Sequence, residues 1–253
     1  MNVPSSQRRK DLYFVPSEIT FENGYSAAMT RRIIGLLRAS HFGPNLLVTF
    51  ISLFFAQLYW WERPAFIIAI GVFCGQLVVG WSNDVIDYQD DLLHNRQKKP
   101  LVSGQISLKL LQNSLRVVLP LAIVINLFGP LGFVGGGLSV LAIGLAVAYN
   151  FYFKFTIFSW LPFAIAFGSL PSCMALSKGQ APELWMWLGG ALLGTAAHFL
   201  NVIKDMDQDQ TSGIKGLPQR VGTRASVIAA IVLIASAVTL LLLTFTSLPI
   251  AAP

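Results

Sequence analysis

Charge is what this chain has least of. Only 12% of its 253 residues are Asp, Glu, Lys or Arg, about half the share of an ordinary soluble domain. Acids number 12, cysteines two and histidines three. So little charge, with 54% hydrophobic residues and a mean hydropathy of +0.62, excludes a soluble globular enzyme, a disordered region and a nucleic-acid-binding domain. Cys74 and Cys173 both sit inside apolar runs, which implies neither a disulfide framework nor a Cys-based metal site.

What the chain does have is long apolar runs. About 20 mostly apolar residues cross a bilayer as a helix. Seven stretches qualify: 43–61, 64–82, 107–128, 131–149, 156–176, 183–203 and 225–247. The runs are continuous rather than alternating, which disfavours a transmembrane barrel. The expected fold is all-α, a polytopic membrane bundle of about seven helices. Residues 1–32 read as a polar cytoplasmic N-terminal segment, and 33–253 as the transmembrane domain. Arg8, Arg9 and Lys10 are followed by no apolar core, so no cleavable signal pattern is present.

Seven spans sort the cations. Sixteen of the 18 Lys and Arg residues fall on one side; only Arg63 and Lys178 fall on the other. Because cytoplasmic loops are enriched in Lys and Arg, the N-terminus and the long loops are expected inside a cell (plasma) membrane. The net charge of +6 is then a topology signal, and no nucleic-acid partner is needed to explain it.

Seven of the 12 acids crowd into two nine-residue windows. The first runs Asn83-Asp84-Val85-Ile86-Asp87-Tyr88-Gln89-Asp90-Asp91. The second runs Asn201-Val202-Ile203-Lys204-Asp205-Met206-Asp207-Gln208-Asp209. Both contain Asn-x3-Asp-x3-Asp, and each follows an apolar run on the cytoplasmic side. On a helix, spacing of four puts Asn83, Asp87 and Asp91 on one face, and likewise Asn201, Asp205 and Asp209; Asp84 lies near the first face. Stacked carboxylates repel unless a cation compensates. Hard oxygen donors without nearby cysteine select Mg²⁺, which commonly bridges carboxylates to substrate phosphates. Solvated loop acids or helix caps would explain one such window; two matched windows in so acid-poor a chain point to a site. Basic Pro/Gly turns follow both windows, at 98–107 and 211–222, with Lys99, Lys215 and Arg220. Cations there can neutralise phosphate, although topology alone also puts cations in these loops.

These residues resemble the UbiA superfamily of intramembrane prenyltransferases. Asn83, Asp84, Asp87 and Asp91 match its N-D-x-x-D-x-x-x-D motif, and 99–104 match its Lys-Pro-Leu-x-Ser-Gly turn. Asn201, Asp205, Asp209, Gly213 and Leu217–Gly222 match the second motif and its tail. Val202 departs from the pattern, standing where many members have Asp; Asp207 is a partial substitute. The resemblance covers about 33–247, and of the family's usual nine spans these residues supply seven. It implies a Mg²⁺-dependent transferase that moves a prenyl group from a prenyl diphosphate to an acceptor, aromatic or another small molecule. Asp87, Asp91, Asp205 and Asp209 would be the catalytic acids. Together with Asn83 and Asp84 they would hold metal. Asn83, Lys99, Tyr149, Lys154, Asn201, Lys204, Lys215 and Arg220 would bind substrate, and membrane lipid would surround the bundle. A terpene cyclase releasing diphosphate without an acceptor, and a non-catalytic member, are the competing classes. His94 and His198 read as structural.

The charge split makes a prediction of its own. Cysteines introduced at Gln97 and Gln219 should react with an impermeant thiol reagent only from the cytoplasmic side, and cysteines at Ser177 and Ala252 only from outside. Labelling of Gln97 and Gln219 from opposite faces would separate the two acid windows across the bilayer.

Overall fold

The structure, a computed structural model, describes residues 19–246. Within that range it is helical, with no strand. Residues 1–18, most of the polar N-terminal segment, and 247–253 lie outside the described residues. Nine helices follow in order: α1 (Ile19–Ala39), α2 (Phe42–Tyr59), α3 (Arg63–Leu93), α4 (Leu108–Phe128), α5 (Gly132–Phe151), α6 (Leu161–Ser177), α7 (Gly190–Ile203), α8 (Met206–Thr211) and α9 (Leu217–Thr246). A π-helical turn, Trp185–Gly189, leads into α7. Six helical segments are long and apolar enough to cross a membrane; α6, with 17 residues, is a shorter apolar helix. The seven elements coincide with the seven runs of the sequence.

Their ends differ from the hydropathy bounds for local reasons. α3 runs 11 residues past the expected end at 82, so the first acid window is helical and stands beyond the apolar part of the helix. α6 starts at Leu161 rather than 156, with Pro162 in its first turn, where proline's missing N–H costs nothing. The residues before it form a short 3₁₀ turn, Phe153–Phe155, and Lys154 on that turn is buried. α9 begins at Leu217 rather than 225, but Gly222 (φ 82°) breaks it. Only glycine enters that backbone region easily, so 217–221 can turn away from the span that follows. α1 passes through residue 32, which the sequence suggests as the edge of the polar segment.

α3 is the axis of the bundle. It packs on α2, α4 and α5, and its apolar window is 67% buried, the highest share of any span. Inside a bilayer, helix association draws on close packing and interhelical hydrogen bonds, and both occur here. Asn126 of α4 donates to Gly71 O of α3 (3.2 Å) and accepts from Ser139 Oγ of α5 (2.8 Å). Asn150 of α5 donates to Val79 O (3.1 Å) and Ser82 Oγ (3.0 Å) of α3. The Trp81 indole donates to Leu36 O (2.9 Å), seating α1 on α3.

The α6–α7 seam is built on small residues. A Cβ on Gly194 would stand 2.3 Å from Phe163 O, and one on Gly190 2.6 Å from Phe167 O. Gly190 and Gly194 are spaced as in small-xxx-small helix pairs. Gly194→Val should therefore force the helices apart, lowering stability in detergent by roughly 1–3 kcal/mol or more. Gly137→Ala, where no atom lies within 4 Å, should leave the thermal midpoint unchanged. Equal midpoints for Gly194→Val and wild type would mean the seam is not close-packed.

Candidate functional site

Both acid windows open onto one cavity. It has a volume of about 680 Å³ and is lined by α2, α3, α5, α6, α7 and the loops at one end of the bundle. Asn83 and Asp87 come from α3, Asn201 from the end of α7, Asp205 from the turn that follows it and Asp209 from α8. Tyr149, Lys154, Lys99, Arg96, Lys204 and His41 complete the polar mouth. Further in, Val48, Ile51, Val72, Ala142, Ile143, Ala146, Ala166, Phe167 and Leu170 make the wall apolar.

On α3 the four-residue spacing does what helical geometry dictates. Asn83 Nδ2 donates to Asp87 Oδ2 at 2.9 Å. Lys154 Nζ, brought in by the 3₁₀ turn, donates to Asp87 Oδ1. Tyr149 lies two residues before the end of α5, its ring edge-on to Phe163 (5.2 Å) and His198 (5.6 Å).

Asp84 and Asp91 are placed differently from Asp87. Neither lines the cavity, and both are buried, at 1% and 2% exposure. They hold the loop that follows. Lys99 Nζ donates to Asp84 Oδ1 (2.6 Å) and lies 4.0 Å from Asp91 Oδ2; Arg96 Nη1 donates to Asp91 Oδ1 (2.7 Å). Asp84 Oδ2 is buried with no hydrogen-bond partner. The acid face of α3 is thus split. Asn83 and Asp87 meet the cavity, while Asp84 and Asp91 anchor the cations that line it.

The second window is not one continuous helix. α7 ends at Ile203, and α8 starts at Met206 after a turn at 204–205. Asp209 N still donates to Asp205 O (2.8 Å), which keeps Asp205 and Asp209 on the cavity side. Asp209 Oδ2 accepts from Gln219 Nε2 at 2.7 Å. Burial pushes the Asp209 carboxyl above its usual pKa; the Gln219 hydrogen bond opposes this and neighbouring Asp205 adds to it. Val202 is buried at 6% exposure and lines the cavity beside Asn201. The Asp207 side chain, the partial substitute suggested by the sequence, lies outside the described residues. Lys215 and Arg220 are exposed and do not line the cavity; Arg220 Nε caps Lys215 O at 2.7 Å.

The donor set suits Mg²⁺. Around the mouth it consists of carboxylate and amide oxygens, with no cysteine. Among the described residues, no three His, Cys, Asp or Glu side chains converge closely enough to hold an ion by themselves. Mg²⁺ seldom needs such a cage. It keeps several waters and binds through one or two carboxylates plus substrate phosphates, and the carboxylates that could serve here are Asp87 on one wall and Asp205 and Asp209 on the other.

Sequence reasoning did not single out His41, Arg96 or Asn150. His41, in a left-handed conformation (φ 54°) just before α2, has Nε2 3.6 Å from Asp84 Oδ1; nothing in its sequence neighbourhood marks it. Arg96 counts in the sequence only as a topology charge. Asn150, next to Tyr149, left a legible signal as a polar residue ending an apolar run. His198, read from the sequence as structural, is buried and lines the cavity, with Nε2 2.9 Å from Ser159 Oγ and Nδ1 without a hydrogen-bond partner.

A model of the UbiA prenyltransferase family matches residues 45–253. No curated protein matches the sequence. Among solved structures, a UbiA homologue from Archaeoglobus fulgidus bound to Cd²⁺ superposes with a TM-score of 0.67 at 15% identity, covering 86% of this chain and 80% of that one. A UbiA homologue from the same organism bound to DMAPP and Mg²⁺ gives 0.65 at 18%, with 81% and 75% covered. A digeranylgeranylglyceryl phosphate synthase gives 0.63 at 18%, with 83% and 76% covered. At these identities the structures speak for the fold. The family model spans most of the chain and takes in both acid windows, and so this chain belongs to the UbiA prenyltransferase family.

Proposed function

We propose that this protein transfers a prenyl group from a prenyl diphosphate to an acceptor, with Mg²⁺ as cofactor. The observation that carries the reading is the meeting of both acid windows and several cations at the mouth of one apolar cavity. Asp87, Asp205 and Asp209, with Asn83 and Asn201, would hold Mg²⁺ against the diphosphate. Bound there, Mg²⁺ would offset the charge that builds on the departing diphosphate.

The chain's own groups account for the rest. Lys154, Lys99 and Arg96 line the mouth on the side of the first window, and Lys204 on the side of the second. Preorganised cations aimed at a leaving group act on charge that grows in the transition state, and act most strongly where water is excluded. Lys154 is buried at 6% exposure, so its charge is little screened. Asp87 accepts a hydrogen bond from it and holds it at the mouth. The apolar wall takes the isoprenoid chain and keeps water from the carbon being released. Tyr149 and Phe163 line the same cavity as the acids, and aromatic faces can stabilise a developing carbocation. With the mouth at the cation-rich end of the bundle, the site would open to the cytoplasm of a cell membrane, where a soluble or amphiphilic diphosphate can reach it.

Incubating purified protein with Mg²⁺, prenyl diphosphates of several lengths and candidate acceptors, followed by product mass analysis, tests the reading. EDTA should stop turnover and added Mg²⁺ restore it. Asp87→Ala should lower turnover by roughly 100-fold or more while the protein remains monodisperse in detergent. Diphosphate release without an acceptor would move the assignment to cyclisation; no release from any donor would overturn it.

A further inference from the structure

The loops that follow the two acid windows are joined by a three-residue network distant in sequence. Arg96 Nη2 donates to Ser212 Oγ at 2.6 Å. Ser212 Oγ in turn donates to Asp90 Oδ2 at 2.8 Å. Arg96 closes the ring, with Nη1 3.2 Å from Asp90 Oδ2 and 2.7 Å from Asp91 Oδ1. Asp90 Oδ1 also lies 3.2 Å from His94 Nδ1. Ser212 is thus donor and acceptor at once, which a serine hydroxyl can be and an alanine cannot.

The position of the ring gives it a consequence. Arg96 lines the cavity and belongs to the loop after α3; Ser212 belongs to the loop after α8. Asp87 lies one helical turn from Asp90 and Asp91, and Asp209 lies three residues before Ser212. Any change in the distance between these loops changes the gap between the two acid sets. The second window is not carried on one helix: α7 ends at Ile203 and α8 starts at Met206, so its acids are placed by the turn and the loops beside it. Gln219 ties Asp209 to α9, not to α3. We propose that Ser212 and Asp90 are positioning residues that clasp the two loops through Arg96, and so set the separation of the acid sets across the cavity mouth. This rests on the prenyl-diphosphate reading for its effect on turnover, though not for its structural part.

Two readouts keep the clasp and the reaction apart. In the first, spin labels on cysteines replacing Lys98 and Lys215, both exposed, report the distance between the loops. The native cysteines are buried and should not react. Wild type should give a narrow distance distribution, Ser212→Ala and Asp90→Asn broader ones, and Ser212→Thr, which keeps the hydroxyl, a narrow one. In the second, Ser212→Ala should raise KM for prenyl diphosphate roughly tenfold, the scale of a hydrogen bond to a charged group, with a smaller change in kcat. Ser212→Thr should restore KM. The double variant Asp90→Asn/Ser212→Ala should be little worse than either single one, because both break the same ring. An unchanged distance distribution in Ser212→Ala, or additive effects of the two substitutions, would overturn the clasp. If no donor is turned over but the distributions respond as described, the clasp stands and the proposed reaction falls.

Discussion

The carboxylates gathered at the end of a low-charge membrane bundle must be compensated, and the site depends on how that is done. Like charges a helical turn apart repel, and near a bilayer the surrounding dielectric makes the repulsion costly. Here every acid of the first window has a cation partner, two cations from the following loop and one from the 3₁₀ turn after α5: Lys99 on Asp84, Arg96 on Asp90 and Asp91, and Lys154 on Asp87. The cations that complete the site are thereby fixed by the acids that define it. Asp205 and Asp209, by contrast, form no ion pair within 4 Å among the described residues. The first acid set is paired within the protein and the second is not, an asymmetry that a divalent cation bound with a diphosphate would relieve.

This division explains why a repeated sequence element is not a repeated structure. Asn-x3-Asp-x3-Asp occurs twice, but only the first copy lies within one unbroken helix. α3 is gripped by three neighbours, so its acids are rigidly held and can be buried against Lys99 and Arg96. α7 is a peripheral helix packed on α6 and α9. Its acids continue on a six-residue helix after a turn. Burying ion pairs is tolerable only with good geometry and satisfied hydrogen bonds, and the central helix supplies that geometry.

Much of this was legible in the sequence. The seven runs follow from hydropathy, because a span's length is set by the bilayer and not by packing. The pairing of the two windows followed from the rarity of acids elsewhere. Hydropathy could not tell which acids face the cavity: Asp84, Asp87 and Asp91 are equivalent by composition, and their fates diverge through a loop that returns Lys99 and Arg96 to α3. Nor could it find the turn at 204–205, since Lys204 and Asp205 carry no glycine or proline to mark it. Arg96 and Ser212 were hidden for a related reason. Their roles come from contacts more than 100 residues apart in sequence, which one sequence does not reveal.

The position of Val202 shows how far the family pattern constrains this chain. An Asp there would stand beside Asn201, on a helix where Phe199 and Ala196 pack against Ala230 of α9. Val202 is itself buried but borders the cavity beside Asn201, so a carboxylate there would face the same cavity as Asp205 and Asp209 and would need a cation or hydrogen-bond partner to keep its charge. Asp205 and Asp209 reach the mouth from beyond the end of α7, where water and cations are close. With Val202 apolar, the acids of the second window stand beyond the last residue of α7, on the turn and on α8. The geometry of the second acid set then depends on the loops around it more than on the helix that carries it.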